Sequence, residues 1–480
     1  MNMEVKRNYI AGQWVEGSSS RSNENPSDKA DPVGDFTSAS ADQVNQAVAA
    51  AKAAFPAWSR SSPQVRFDIL DKVGSEILAR KEELGRQLSR EEGKTLAEGI
   101  GEANRAGQIW KWFAGEALRV HGDKMPGLRP GTEAELTREP VGVIGIITPW
   151  NFPIAIPSWK VAPALAYGNC VVLKPAELVP ASSWSIAEIL ARAGVPEGVF
   201  NLVMGSGSVV GNALVNHKDV SGVTFTGSTK TGRTVAEGCV KRLARVQLEM
   251  GGKNPMIVLD DADLDLAVEA SFQGAFGSTG QRCTASSRLI VQQGIHDKFV
   301  AAMIERLKRT KIDHALEAGT EIGPVVDQRQ LDQNLSYVDI GQKEGAKLAF
   351  GGELLNRKTQ GYYMNCALLT ETKNDMRVNR EEIFGPVGTV IRVKDYDEAL
   401  AVANDTEYGL VGGICTTSLK YASHYKRNAE TGIVMVNLPT AGVDYHISFG
   451  GRKNSSFGPR EQGELAREFF TISKSAYVKA

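Results

Sequence analysis

Cysteine is scarce and scattered. Five occur in 480 residues, at 170, 239, 283, 366 and 415, and no two form a CxxC pair. An odd, dispersed set fits reduced thiols better than a disulfide framework. An excess of either charge is also missing: Lys plus Arg is 55 and Asp plus Glu is 56, a net charge of −1. Such a chain has no global electrostatic drive towards nucleic acid or an anionic membrane. The most continuous apolar run, Val141 to Ile147, is far too short to span a bilayer. The first residues mix Glu4, Lys6 and Arg7, which suits no signal peptide, so a cytoplasmic protein is expected. There is no HExxH, no DxDxDG and no His/Cys cluster with metal-ligand spacing, and no GxSxG elbow or GxxxxGK[ST] loop. Metal catalysis therefore has no support, and no metal is expected.

What is present is long enough for about three structural units. Residues 17–34 are loop-like. Ser40 and Gln43 are spaced as a capping box, and Val44, Val48, Ala51, Phe55 and Trp58 then recur at helical intervals. More helix runs to about Gly115, broken near Ser61, Pro63 and Gly93. From residue 141, short apolar runs (VGVIGII, CVVL, VFNLV, GVTF, PMIVL) alternate with helical stretches. That pattern implies a parallel sheet covered on both faces, with ligands at the carboxyl ends of its strands. A second α/β stretch starts near residue 260. Segments 121–140 and 466–480 fit neither block and read as extended arms suited to pairing with a neighbouring subunit.

Chemistry gathers in a few places. Cys283 lies among small polar residues in GSTGQRCTASS, where backbone N–H donors can favour a nucleophilic thiolate. A chance loop cysteine is the bland alternative. Glu249 in QLEMGGKNP ends a strand-like stretch and can serve as a base, or simply as a surface carboxylate. Asn151 in ITPWNFP, between Trp150 and Phe152, is either an oxyanion donor or an Asx-turn residue. FTGSTKTG brings Gly227, Ser228 and Gly232 to a strand–helix junction fit for pyrophosphate. GSGSVVG, ending at Gly211, resembles a dinucleotide loop with one extra residue, or a tight turn. Lys174 and Glu177 in VVLKPAE can hold the adenosine ribose or form a solvated strand end. A carboxylate at Glu177 opposes a 2′-phosphate and so favours NAD, with NADP still possible through Lys174.

In order and approximate spacing, PWNFP, KPAE, FTGSTKTG, EMGGKNP, GQRC, EEIFGP and FGGRKNSSFG resemble the aldehyde dehydrogenase superfamily over nearly the whole chain. The resemblance implies an α/β subunit with a variant Rossmann cofactor domain (1–120 and 141–251), an α/β catalytic domain (252–450) and a small β oligomerisation arm (121–140 and 466–480). It implies a homodimer or homotetramer using NAD(P). Cys283 would be the nucleophile, Glu249 the general base, and Asn151 an oxyanion donor with the Cys283 N–H. Trp150, Lys174, Glu177, Gly211, Gly227, Ser228 and Gly232 would contact the cofactor, and Glu382 and Phe384 would position its nicotinamide half. Glu461 matches a carboxylate assigned to proton relay or to supporting Glu249.

The resemblance also implies that Phe152, Ile156, Trp159 and Phe449 line an aldehyde tunnel. Arg282, beside the nucleophile, can grip a carboxylate or bind a loop carbonyl. GQRCTASSR and RKNSSFGPREQG are most similar to α-ketoglutaric semialdehyde (2,5-dioxopentanoate) dehydrogenases of sugar-acid catabolism. Succinate semialdehyde or a broad aldehyde range is the alternative. A coenzyme A-acylating relative and a non-catalytic homologue are disfavoured, because Glu249, Cys283 and Asn151 are all intact.

Overall fold

The computed structural model describes residues 4–479. Two largely parallel sheets covered by helices carry most of the chain, and a small antiparallel sheet completes it. The central strands of the first sheet are Val143–Ile147, Cys170–Lys174, Phe200–Leu202, Gly222–Thr226 and Arg245–Glu249, all parallel. In space they run third, second, first, fourth, fifth. The order reverses between Val143–Ile147 and Gly222–Thr226, and such a reversal opens a ligand crevice at the carboxyl ends. Both strands are buried along their whole length, as a sheet covered on two faces requires.

Antiparallel strands close the edges: Asn8–Ile10 and Gln13–Val15 on one side, Ser456–Phe457 on the other. The boundaries read from sequence leave 451–465 unassigned. The fold returns Ser456–Phe457 to the first sheet, with Ser456 opposite Glu249. A two-residue strand without apolar alternation has no signal before folding.

The early helices follow their local signals. Ser40 and Gln43 form both bonds of the capping box, at 3.2 and 3.1 Å, and open Ala41–Ser59. Lys81–Glu92 stops on Gly93 at φ 97°, a left-handed conformation that favours glycine. A second capping box, Thr95 with Glu98, opens Leu96–Ala117. That helix carries Glu98, Glu102 and Arg105 at i, i+4 and i+7, hence on one face.

The second sheet runs, in space, Lys347–Phe350, Ala367–Thr370, Val387–Val393, Arg288–Gln292, Pro255–Val258, Val411–Cys415 and Ile433–Val436. Only its first strand is antiparallel to its neighbour. The small sheet joins Asp123–Pro126, Thr132–Pro140 and Thr471–Lys479, with Thr471 opposite Pro140.

Asn169 fastens this sheet to the body. Its Oδ1 accepts the N–H groups of Val141 and Gly142 at 2.8 and 3.0 Å, just past one strand. Its Nδ2 donates to the Phe470 carbonyl at 2.9 Å, just before the other. Asn169 is fully buried, so Asn169→Ala strands several polar groups. The expected loss is about 2–4 kcal/mol in urea unfolding; a change below about 0.5 kcal/mol would mean that those groups find other partners.

Candidate active site

The helix Leu264–Phe276 ends at Gly277, and the turn after it is strained. Ser278 and Thr279 take φ values of 49° and 59°, where residues with a β-carbon rarely sit. Glu98 Oε1 pins the turn by accepting both the N–H and the hydroxyl of Ser278, each at 2.8 Å. Thr279 adds a bond from its hydroxyl to the Gly323 carbonyl at 3.2 Å. The turn delivers Cys283 to the wall of a cavity of about 390 Å³.

Asn254 fixes the Cys283 backbone, its Nδ2 donating to the carbonyls of Cys283 (2.8 Å) and Ala285 (2.9 Å). The glycine pair beside it is there for contact. A β-carbon at Gly252 would lie 2.8 Å from the Cys283 carbonyl oxygen, and one at Gly251 would lie 2.4 Å from Glu382 Oε2. Neither position tolerates a side chain without moving the site.

The electrostatics around Cys283 differ from the sequence reading. Its own N–H does face the sulfur, but burial, Glu382 and Glu249 outweigh that donor and push the thiol up to about 12. Glu249 ends the strand Arg245–Glu249, buried, with Oε2 accepting the Ser456 hydroxyl at 2.6 Å. Burial and the neighbouring Glu461 hold its carboxyl well above the usual range. Glu461 is paired with the buried Lys160 ammonium, and Thr224 donates to the same oxygen at 3.3 Å. Two buried carboxylates thus face one ammonium. Glu461 holds the cation directly, and Glu249 is left facing its negative charge.

Asn151 is buried, and its Nδ2 donates to the Gln281 carbonyl at 2.9 Å, two residues before Cys283. Its own carbonyl accepts the Lys94 ammonium. Trp150 meets Phe384 edge-on at 5.3 Å, and Phe384 has a φ of 61°, a conformation rarely adopted by a bulky aromatic residue. Glu382 accepts the Gly252 N–H at 2.9 Å, and burial raises its carboxyl to about 7.

At the crevice between Val143–Ile147 and Gly222–Thr226 the chain leaves one strand through Trp150 and Asn151 and the other through Gly227 and Ser228. Ser228 caps the helix Thr229–Lys241, accepting the Thr231 N–H at 3.3 Å. Gly227 and Gly232 also have packing reasons: β-carbons there would lie 2.5 Å from the Phe225 ring and 2.4 Å from Met250 Sδ. Lys174 is buried at the end of its strand, which lowers its ammonium to about 8. It makes no hydrogen bond to a described side chain, and Gly211 packs against its stem, a β-carbon there lying 3.9 Å from Cδ. Glu177 stands near it, 3.9 Å from Arg21. At Gly207 a β-carbon would meet nothing within 4 Å, so backbone there is open to a ligand. A largely buried lysine at a strand end, a helix N-terminus and open glycine backbone fit a dinucleotide.

The cavity wall holds Cys283, Thr284, Phe152, Trp159 and Phe449, with Trp159 and Phe449 rings 5.6 Å apart. Arg282 is there too, its Nη2 on Glu98 Oε1 at 3.0 Å and Nη1 on the Gln273 carbonyl at 3.3 Å. Ile156 is not on the wall. It packs in the core, one residue after Ala155 and three before Trp159, the i, i+4 pair that faces the cavity. Lys94, Glu98, Glu102 and Arg105 line it as well, and the sequence reading missed all four. The i, i+4, i+7 spacing of Glu98, Glu102 and Arg105 was visible in the sequence, but only the fold shows what that face covers.

Cys283 should alkylate slowly at neutral pH, with a rate climbing about tenfold per pH unit beyond pH 9. Iodoacetamide labelling followed by mass spectrometry from pH 7 to 10.5 checks this. A plateau below pH 8 would contradict the raised thiol.

Comparison with known proteins agrees with this architecture. The aldehyde dehydrogenase family pattern matches residues 14–476. The alpha-ketoglutaric semialdehyde dehydrogenase of Bacillus subtilis is 44% identical over 98% of each chain. The 2,5-dioxopentanoate dehydrogenase of Saccharolobus solfataricus is 39% identical, again over 98% of each. The crystal structure of betaine aldehyde dehydrogenase from Staphylococcus aureus in complex with NAD+ superposes with a TM-score of 0.97 at 34% identity, covering 99% of this chain and 95% of that one. With an α/β fold matched from end to end and a family pattern spanning nearly every residue, the chain belongs to the aldehyde dehydrogenase family.

Proposed function

We propose that this enzyme oxidises α-ketoglutaric semialdehyde to 2-oxoglutarate with NAD(P), through a covalent thioester on Cys283. The observation that carries the reading is the strained turn that sets Cys283 on the wall of the cavity, with the buried Glu249 carboxyl close enough to act on its sulfur. The two relatives most alike in substrate name support the choice of aldehyde.

Cys283 Sγ attacks the aldehyde carbon, and its proton passes to solvent water as the S–C bond forms. The Asn151 amide and the Cys283 N–H hold the oxygen that gains charge. When bound, NAD(P) supplies the hydride acceptor that turns the thiohemiacetal into a thioester. Lys174, Glu177, Gly211, Gly227 and Ser228 would hold its adenosine and pyrophosphate, with Gly232 letting the helix sit close; Glu382 and Phe384 would hold its nicotinamide half, and Trp150 would contact the cofactor beside Phe384. Glu249 then takes a proton from water, and the hydroxide formed releases the acid and restores the thiol. Ser456 orients Glu249, while burial, Glu461 and Lys160 set its proton affinity. Glu177 favours NAD over NADP by opposing a 2′-phosphate.

The three-stranded sheet presents Asp123–Pro126 as a fully exposed edge, and we place the homodimer or homotetramer contact there. Among the described residues no helix is long and apolar enough to cross a membrane, which supports a cytoplasmic place.

Initial rates of NADH formation with α-ketoglutaric semialdehyde, succinate semialdehyde, pentanal and betaine aldehyde test the substrate. The expected order puts the two acids first, and equal rates across the set would defeat it. Cys283→Ala should lose at least about 10³-fold in turnover, and Asn151→Ala about 10²–10³-fold. Glu249→Gln should still release about one NADH per site in a first burst, then turn over roughly 10²–10⁴-fold more slowly; an unchanged steady state would remove Glu249 from hydrolysis. Because Glu249 must lose its proton to act, turnover should rise with pH, with a midpoint above the ordinary carboxylate range.

A further inference from the structure

Five charged side chains line the Cys283 cavity: Lys94, Glu98, Glu102, Arg105 and Arg282. Four of them cancel in pairs. Lys94 Nζ lies 2.8 Å from Glu102 Oε2, both buried, and the other Glu102 oxygen accepts the N–H groups of Ile154 and Ala155 at 3.0 and 3.1 Å. Arg282 lies 3.0 Å from Glu98 Oε1, which also holds Ser278. Both Arg282 Nη atoms are engaged, the second on the Gln273 carbonyl.

Arg105 is the remainder. Among the described residues it makes no ion pair, and its one hydrogen bond runs from Nη2 to Gln462 Oε1 at 3.1 Å. Its Nε is buried with no acceptor, and so is the Nε2 of that same Gln462. The guanidinium sits over the Trp159 ring, 5.9 Å from its centroid, so the apolar wall and the cation are neighbours. A half-buried guanidinium with most of its five N–H groups unspent is costly to keep. Its planar fork matches one ligand chemistry above others, a carboxylate. The cavity as a whole carries a single unmatched positive charge, and Arg105 is where it resides.

We infer that Arg105 is the specificity-determining residue of this enzyme: its guanidinium, oriented by Gln462, binds the carboxylate of an aldehyde acid whose carbonyl lies at Cys283. Arg282 then serves the architecture, tying the Cys283 loop to the helix Leu96–Ala117 through Glu98. The inference rests on the proposed function above, in which Cys283 is the nucleophile and the substrate is an acidic aldehyde.

The test is a ratio. Values of kcat/KM are measured for succinate semialdehyde against butanal, and for α-ketoglutaric semialdehyde against pentanal, with betaine aldehyde as a cationic probe. The proteins are the wild type, Arg105→Leu, Arg105→Lys and Arg282→Leu. Arg105→Leu should cut the acid-to-neutral ratio roughly 10- to 100-fold, mostly through KM, and should narrow the disadvantage of betaine aldehyde. Arg105→Lys, which keeps the charge and loses the fork, should recover part of the ratio. Arg282→Leu should lower acid and neutral rates together. If Arg105→Leu lowers both alike, or if Arg282→Leu alone erases the acid preference, the assignment is wrong. A wild type with no acid preference fails earlier and defeats the substrate reading itself; a wild-type preference that survives in Arg105→Leu defeats only the role of Arg105.

Discussion

Asn254 stands in the short link between the last parallel strand of the first sheet and the opening strand of the second, and its amide sets the distance between the site's two main groups. One end of the amide holds the Cys283 and Ala285 carbonyls; the other accepts the Val411 N–H at 3.2 Å. Glu249 lies at the start of that link and Asn254 at its end. The sulfur and the carboxyl are therefore spaced by a few residues of backbone rather than by the packing of two separate units. Gly251 and Gly252 let that backbone run close against Glu382 and the Cys283 carbonyl.

Around this fixed spacing the charges are sorted by place. Glu249, Glu382 and Glu461 all act on the Cys283 sulfur. The cavity wall itself carries two internally matched ion pairs and Arg105. An acidic aldehyde entering such a field has one favourable orientation, with its own carboxylate away from the three acids and its neutral carbonyl towards them. Phe152, Trp159 and Phe449 between these poles bring apolar surface and little direction of their own.

Local signals in the sequence accounted for much of this. The Ser40–Gln43 capping box, helical spacing from Val44 to Trp58 and the alternation after residue 141 are short-range effects, and the folded chain displays them at the expected residues. Sequence order also places Cys283, Glu249 and Asn151, because each sits in a motif whose neighbours are glycine, proline or small polar residues. What stayed hidden depends on contact across long separations. Ser456 reaches Glu249 only through a two-residue edge strand. Ile156 and Trp159 share one helix, yet the first packs in the core and the second on the wall, beside Ala155 one turn earlier. Arg282 was the more conspicuous arginine because it adjoins the cysteine. The partner that occupies it, Glu98, lies on a helix far away in sequence.

The Glu249–Glu461 pair has a consequence for the folded state as well as for chemistry. Folding raises the proton affinity of Glu249, because burial and a second carboxylate disfavour its charge. Between the ordinary carboxylate value and that raised value the native protein binds a proton that the unfolded chain has released. Stability from this group is thus complete in acid and drains away as pH rises through the raised value. Glu249 carries its charge only where that stability has been lost, so any chemistry that needs the charged carboxylate belongs to the pH range in which the pocket around it is loosest.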